Sequence, residues 1–116
     1  MAVGPDFLIE RRGAVVNVAE ALASQGVTIG FASSAATGTR HLPLSAAYAV
    51  RNGLDPFDAL KALTVSPARM LKLEGRLGSI ERGRDADLVL WSGDPFAVTS
   101  RIRYVIIDGR IVHEFR

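Results

Sequence analysis

Two groups of residues have the types and spacing to do chemistry. The first is Ser33, Ser34, Thr37, Arg40 and His41, strung through a small-residue stretch that follows the apolar run "GVTIGFA". Hydroxyls there, with backbone N–H groups at the start of a following helix, would favour an anion such as phosphate or a carboxylate, and Arg40 would add charge. The same residues also read as a plain strand-to-helix turn, since no Gly-rich phosphate fingerprint accompanies them. From Gly26 to Thr39 there is no Asp, Glu, His, Lys or Cys, so the stretch carries no acid or base of its own. His41 is the imidazole beside it. A lone histidine reads as a loop or capping residue, because a metal site needs several donors.

The second group is Asp85 and Asp87 in "GRDADLV". On a strand their i, i+2 spacing would put both carboxylates on one face, as a cation site requires, whereas the flanking glycine and polar residues favour a turn-and-edge role. Asp94, ahead of Pro95, reads as a turn former. His113 is remote in sequence from His41, and Trp91, ending an apolar run, reads as packing.

These residues must be positioned by a mixture of helix and strand signals. "AVGP" at residues 2–5 is a short apolar run stopped by Gly and Pro, consistent with the tail of a strand. From Arg11 to Gln25 the spacing of Val15, Val18, Ala19, Leu22 and Ala23 predicts one helix ending at Gly26. Val27 to Ala32 then reads as a parallel strand buried on both faces. A second helix is predicted from about Pro43 to Asn52. Two Pro-led starts follow: Asp55 caps a helix with Pro56 at its first position and Asp58 in its first turn, and Ser66 with Pro67 repeats the pattern for a new short helix. After Gly75, "GSIERG", "ADLVLWSGDP" and "RYVIIDGRIVHEF" read as β segments, with Asp108-Gly109 as a two-residue type I′ hairpin turn. The reading is an α/β chain in which residues 1–74 alternate strand and helix and then form a helix pair. Residues 75–116 form a small antiparallel sheet, and the two halves pack as one unit.

Composition narrows the function. At 116 residues with 48% hydrophobic content the chain has enough apolar residues for the core of one domain. A formal net charge of +2, with charges scattered along the chain, argues against a nucleic-acid partner. No apolar run reaches the roughly 18 residues of a membrane span, and no leader pattern opens the chain, so a cytoplasmic location is expected. The absence of cysteine excludes disulfides and thiolate ligands.

The wording from Gly26 onward resembles the C-terminal part of an amidohydrolase-superfamily enzyme, near its imidazolonepropionase and prolidase-like branch. The resemblance rests on "GVTIGFASS", "LPLSAAYAVRNGLDPFDALKALTVSPARMLKLEGRLGSIERGRDADLVLWSGDP" and "VIIDGRIV". It implies a longer enzyme built on a (β/α)8 metal-dependent hydrolase barrel, with a small β-sandwich made from both chain ends. This chain would hold the last two strand-helix units and the C-terminal share of the sandwich. It also implies zinc or another divalent metal held by a His-x-His pair, a bridging ligand and two further histidines, none with a counterpart here. One family ligand, an Asp after the last strand, aligns with Ser34, whose neutral hydroxyl is a poor metal ligand and no general base.

The resulting expectation is a hydrolase of non-peptide carbon–nitrogen bonds by resemblance, in which metal-activated water attacks a carbonyl-type carbon. The isolated chain is expected to be inactive, with no catalytic residue and no metal ligand of its own. Any substrate contact is expected at Ser33, Ser34, Thr37, Arg40 or His41. Its expected partner is a missing N-terminal half or further copies of itself. The alternatives are a non-catalytic oligomeric module and a small-anion-binding protein.

Overall fold

The computed structural model describes residues 1–3, 8–33 and 41–115. The order of elements is β1 (Ala2–Val3), β2 (Leu8–Arg11), β3 (Ala14–Asn17), α1 (Val18–Ser24), β4 (Gly30–Phe31), α2 (Leu42–Arg51), α3 (Pro56–Leu63), α4 (Val65–Met70), β5 (Leu88–Trp91), β6 (Ile102–Ile107) and β7 (Arg110–Glu114). The chain is mixed α/β, with the small antiparallel sheet expected at the C-terminal side and a second, unexpected one near the start. β1 and β4 make a two-stranded parallel sheet, β2 and β3 a hairpin, and β5-β6-β7 a three-stranded antiparallel sheet.

The single helix expected over Arg11–Gln25 is corrected by the structure. Arg12 and Gly13 take φ of 51° and 78°, the left-handed pair of a type I′ turn, and so fold residues 8–17 into a hairpin. Val15 lies in β3, 63% exposed, and the helix begins only after Asn17. Adjacent β-branched Val15 and Val16 favour the strand. The helical face survives in its second half, where Ala19 is fully buried with Val18, Leu22 and Ala23 packed around the core. The strand expected over Val27–Ala32 is also shorter. Its ladder covers Gly30 and Phe31, with the Gly30 N–H donating to the Met1 carbonyl at 2.9 Å, while Val27 and Thr28 are exposed.

The three later helices lie close to expectation. Asp55 caps α3, accepting from the N–H groups of Phe57 (2.9 Å) and Asp58 (3.1 Å). A separate α4 exists, but Ser66 is not its cap. Thr64 ends α3 and starts α4 at φ −127°, ψ −86°, and Pro67 is the third helical residue. A first-turn N–H has no intrahelical acceptor, so proline costs nothing there. α2, α3 and α4 all pack on β4. The core between them is small-sided: Ala19, Ala46, Ala49, Ala59 and Ala62 are fully buried, joined by Ile29, Phe31 and Leu54.

Among the described residues, one polar side chain lies in that core. Asn17 is 6% exposed, and its amide uses its whole hydrogen-bonding capacity. Oδ1 accepts from the N–H groups of Ala19 (3.1 Å) and Glu20 (3.3 Å), capping α1. Nδ2 donates to the carbonyls of Ala49 (2.8 Å) and Asn52 (3.2 Å), which end α2. One side chain thus ties the start of one helix to the end of another.

The C-terminal sheet turns at Asp108-Gly109 with φ of 50° and 73°, the expected type I′ pair. "GSIERG" is not a strand, which corrects the reading above. It is a polar turn in which Ser79 Oγ donates to Glu81 at 2.9 Å and Arg84 pairs with Glu81 at 3.0 Å. This segment crosses α4 at Gly78, where a Cβ would sit 2.8 Å from Ala68 Cβ and 2.9 Å from the Thr64 carbonyl, so glycine alone fits.

Two outcomes follow from these contacts. Asn17→Ala should lower stability by about 1–2 kcal/mol, read as a lower urea midpoint, because it uncaps α1 and removes the side-chain donor to the Ala49 and Asn52 carbonyls. Asn17→Asp should lose at least as much, since its carboxylate keeps the cap but faces those carbonyls without a donor. The hydroxyl of Ser79, then Arg84, holds the Glu81 carboxyl below its ordinary pKa. Its contribution is therefore present above the ordinary glutamate range and lost as pH falls through the lowered value. In an NMR titration Ser79→Ala should move the Glu81 midpoint upward; an unmoved midpoint would show that the hydroxyl does not hold the carboxylate.

Candidate functional site

β4 leads through Ala32 to Ser33, which is exposed. Ser34, Thr37 and Arg40, expected to complete the site, lie outside the described residues. His41 follows and takes the N-cap position of α2 through its backbone: its carbonyl accepts from the N–H groups of Leu44 (3.0 Å) and Ser45 (3.1 Å). Its imidazole is exposed and makes no capping hydrogen bond. Pro43 occupies the first turn, which contains no acidic residue.

The two aspartates singled out from the sequence are structural. Asp85 accepts from the Arg76 guanidinium at 2.6 Å, and its own N–H donates to the Arg76 carbonyl at 2.9 Å. That pair holds the Arg76 guanidinium more firmly charged than usual. Asp87 Oδ1 accepts from the Asp108 N–H at 2.9 Å, while the Gly109 N–H donates to the Ala86 carbonyl at 3.0 Å. The carboxylate of Asp87 is thus spent on fixing the hairpin turn from the start of β5. Asp94 forms the expected turn, accepting from the Phe96 N–H at 2.9 Å.

His113 stands in β7 opposite Val105, its ring 4.0 Å from that of Phe115 and tilted by 58°. It belongs to the three-stranded sheet, whereas His41 precedes α2. Trp91 is half-buried at the end of β5, consistent with packing. Among the described residues no three His, Cys, Asp or Glu side chains come together to hold a metal ion. After β4, the described donors are the exposed Ser33 hydroxyl and the exposed His41 imidazole, which together do not make up a site for zinc or another divalent ion. Among the described residues, no helix is long and apolar enough to cross a membrane.

Sequence reasoning missed Asn17 and Arg76, the two polar residues with most influence on this framework. The signal for Asn17 was its residue type, a preferred N-cap, with Val18, Ala19, Leu22 and Ala23 at helical spacing after it. Arg76 carried no comparable sign, because its partner lies nine residues on in a turn.

Residues 10–112 match the model of the amidohydrolase family. An amidohydrolase from Thermotoga maritima superposes on 85% of this chain with a TM-score of 0.73 and 41% identity, and the chain covers 27% of that protein. Amidohydrolase tasK of Hapsidospora irregularis is 38% identical over 89 residues, which are 76% of this chain and 9% of tasK. An imidazolonepropionase of Anaeromyxobacter dehalogenans is 44% identical over 68 residues, 53% of this chain and 16% of that enzyme. The chain spans less than a third of each of the three. The family match runs from the β2–β3 hairpin into β7, and by it the chain belongs to the amidohydrolase family.

Proposed function

We propose that this chain is the C-terminal part of a hydrolase that opens carbon–nitrogen bonds other than peptide bonds, and that the 116 residues alone do not catalyse the reaction. In this reading β1 and β4 are two adjacent staves of a (β/α)8 barrel, and β5-β6-β7 is one share of a β-sandwich. The loop after β4 then faces the substrate, since such barrels keep their chemistry at the C-terminal ends of the strands. Ser33, Ser34, Thr37, Arg40 and His41 are its contact residues. The groups that activate water come from residues outside this chain, so no bond-breaking step is assigned to its own side chains.

The observation that carries this reading is surface. The chain exposes 8414 Å², against about 6,100 Å² for a compact monomer of the same mass. The excess is apolar in part: Phe57 is 67% exposed and Ile80 87%. A parallel pair of strands reaches closure only with neighbours on both edges. The remainder of the hydrolase is the partner that supplies them and covers the apolar faces.

Three measurements test the proposal. The purified chain, supplied with zinc, should show no amide or lactam hydrolysis above blank; metal-dependent turnover would overturn the claim of inactivity. Light scattering should show polydisperse association, whereas a single sharp oligomer would mean that copies of the chain are the partner instead. In a chimera, this chain would replace the matching segment of the Anaeromyxobacter dehalogenans imidazolonepropionase. That protein should fold with little imidazolonepropionase activity, and Ser34→Asp should raise it about 100-fold or more. No response to that substitution would remove Ser34 from the site.

A further inference from the structure

The turn that closes α2 places Asn52 directly before Gly53. Asparagine is among the thermolabile residues, and a following glycine presents no Cβ to obstruct its self-reaction. In that reaction the Gly53 backbone nitrogen, losing its proton, bonds to the Asn52 side-chain carbonyl carbon. The side-chain nitrogen takes up a proton and leaves as ammonia. Water then opens the resulting succinimide at either carbonyl, giving aspartate or isoaspartate. The sum is one water consumed and one ammonia released, with no oxidant or enzyme required.

In the folded chain both reacting groups are tied down. The Gly53 N–H donates to the Val50 carbonyl at 3.1 Å, and Asn52 Nδ2 donates to the Tyr48 carbonyl at 2.8 Å. Each is thereby held against the last turn of α2. The Leu54 N–H donates to the Ala49 carbonyl at 3.0 Å, and Leu54 is buried beneath the turn. The Asn52 carbonyl accepts from Nδ2 of Asn17 at 3.2 Å, across from the start of α1.

We propose that Asn52 is a self-modification site that the fold keeps closed, with Asn17 as its latch. When the α1–α2 junction opens, Gly53 and the Asn52 side chain lose their helix partners and the ring can close. The product cannot re-form the turn. A carboxylate at position 52 confronts the carbonyl end of α2, where the helix dipole disfavours negative charge. An isoaspartate also lengthens the backbone by one methylene and displaces the carbonyl that Asn17 holds. The reaction therefore converts a transient opening into a permanent one.

The test is peptide mapping by mass spectrometry of the 116-residue chain during incubation in mildly alkaline buffer, following amide-to-acid conversion at residue 52. Conversion in the folded chain should be about tenfold or more slower than in the same chain in urea. Equal rates would overturn the proposal. Asn17→Ser keeps an oxygen to cap α1 but has no amide donors for α2. With helicity retained by circular dichroism, it should convert faster than wild type; a folded variant that converts at the wild-type rate would remove Asn17 as the latch. Hydrogen exchange at the Gly53 amide of the wild-type chain needs no variant. Protection there is expected, and an unprotected amide would overturn the gating.

Discussion

The arrangement of the N-terminal half depends on one buried amide. Asn17 gives its oxygen to the start of α1 and its nitrogen to the end of α2, two places where helices leave backbone groups without partners. At the α1 end, a shift would leave the buried Ala19 N–H without its acceptor, and at the α2 end it would give up two further hydrogen bonds. Asn17 thus links the start of α1 to the end of α2. β4 and the helices after it pack in the space that remains.

Alanine makes such an arrangement feasible. Where Ala46, Ala49, Ala59 and Ala62 meet, helix backbones approach closely and leave no room for larger groups. Each alanine buries little area, however, so much of the order comes from caps and turns. Asp55 secures α3, Asp87 fastens the β6–β7 turn, and Arg76 with Asp85 joins the segment after α4 to the start of β5. Many of the larger apolar side chains, Phe57 and Ile80 among them, lie outside this framework. Their exposure agrees with a family whose members are several times longer than the part matched here.

Much of this was legible in the sequence wherever a local rule had no competitor. Asp55-Pro56 can only start a helix economically, and Asp108-Gly109 between β-branched runs specifies a hairpin. The β2–β3 hairpin was not legible. The spacing of Val15 with Val18, Ala19, Leu22 and Ala23 satisfies a helical period, although a left-handed Arg12-Gly13 turn breaks the chain before it. The cap of α4 was misplaced because proline is accepted anywhere in a first turn, so Ser66-Pro67 fixed the helix but not its first residue. At the candidate site the structure describes Ser33, just after β4, and His41, just before α2. Ser34, Thr37 and Arg40 lie outside the described residues, and their role rests on the family relationship alone.

The exposed surface has a thermodynamic consequence. The heat capacity of unfolding and the sensitivity to denaturant both scale with the area newly opened to water. A chain that already exposes so much in its folded state has less to open. Its stability curve against temperature should be shallow, and its transitions broad for a protein of this length. If the proposed reading holds, docking onto the remainder of a hydrolase would bury the missing area and sharpen both.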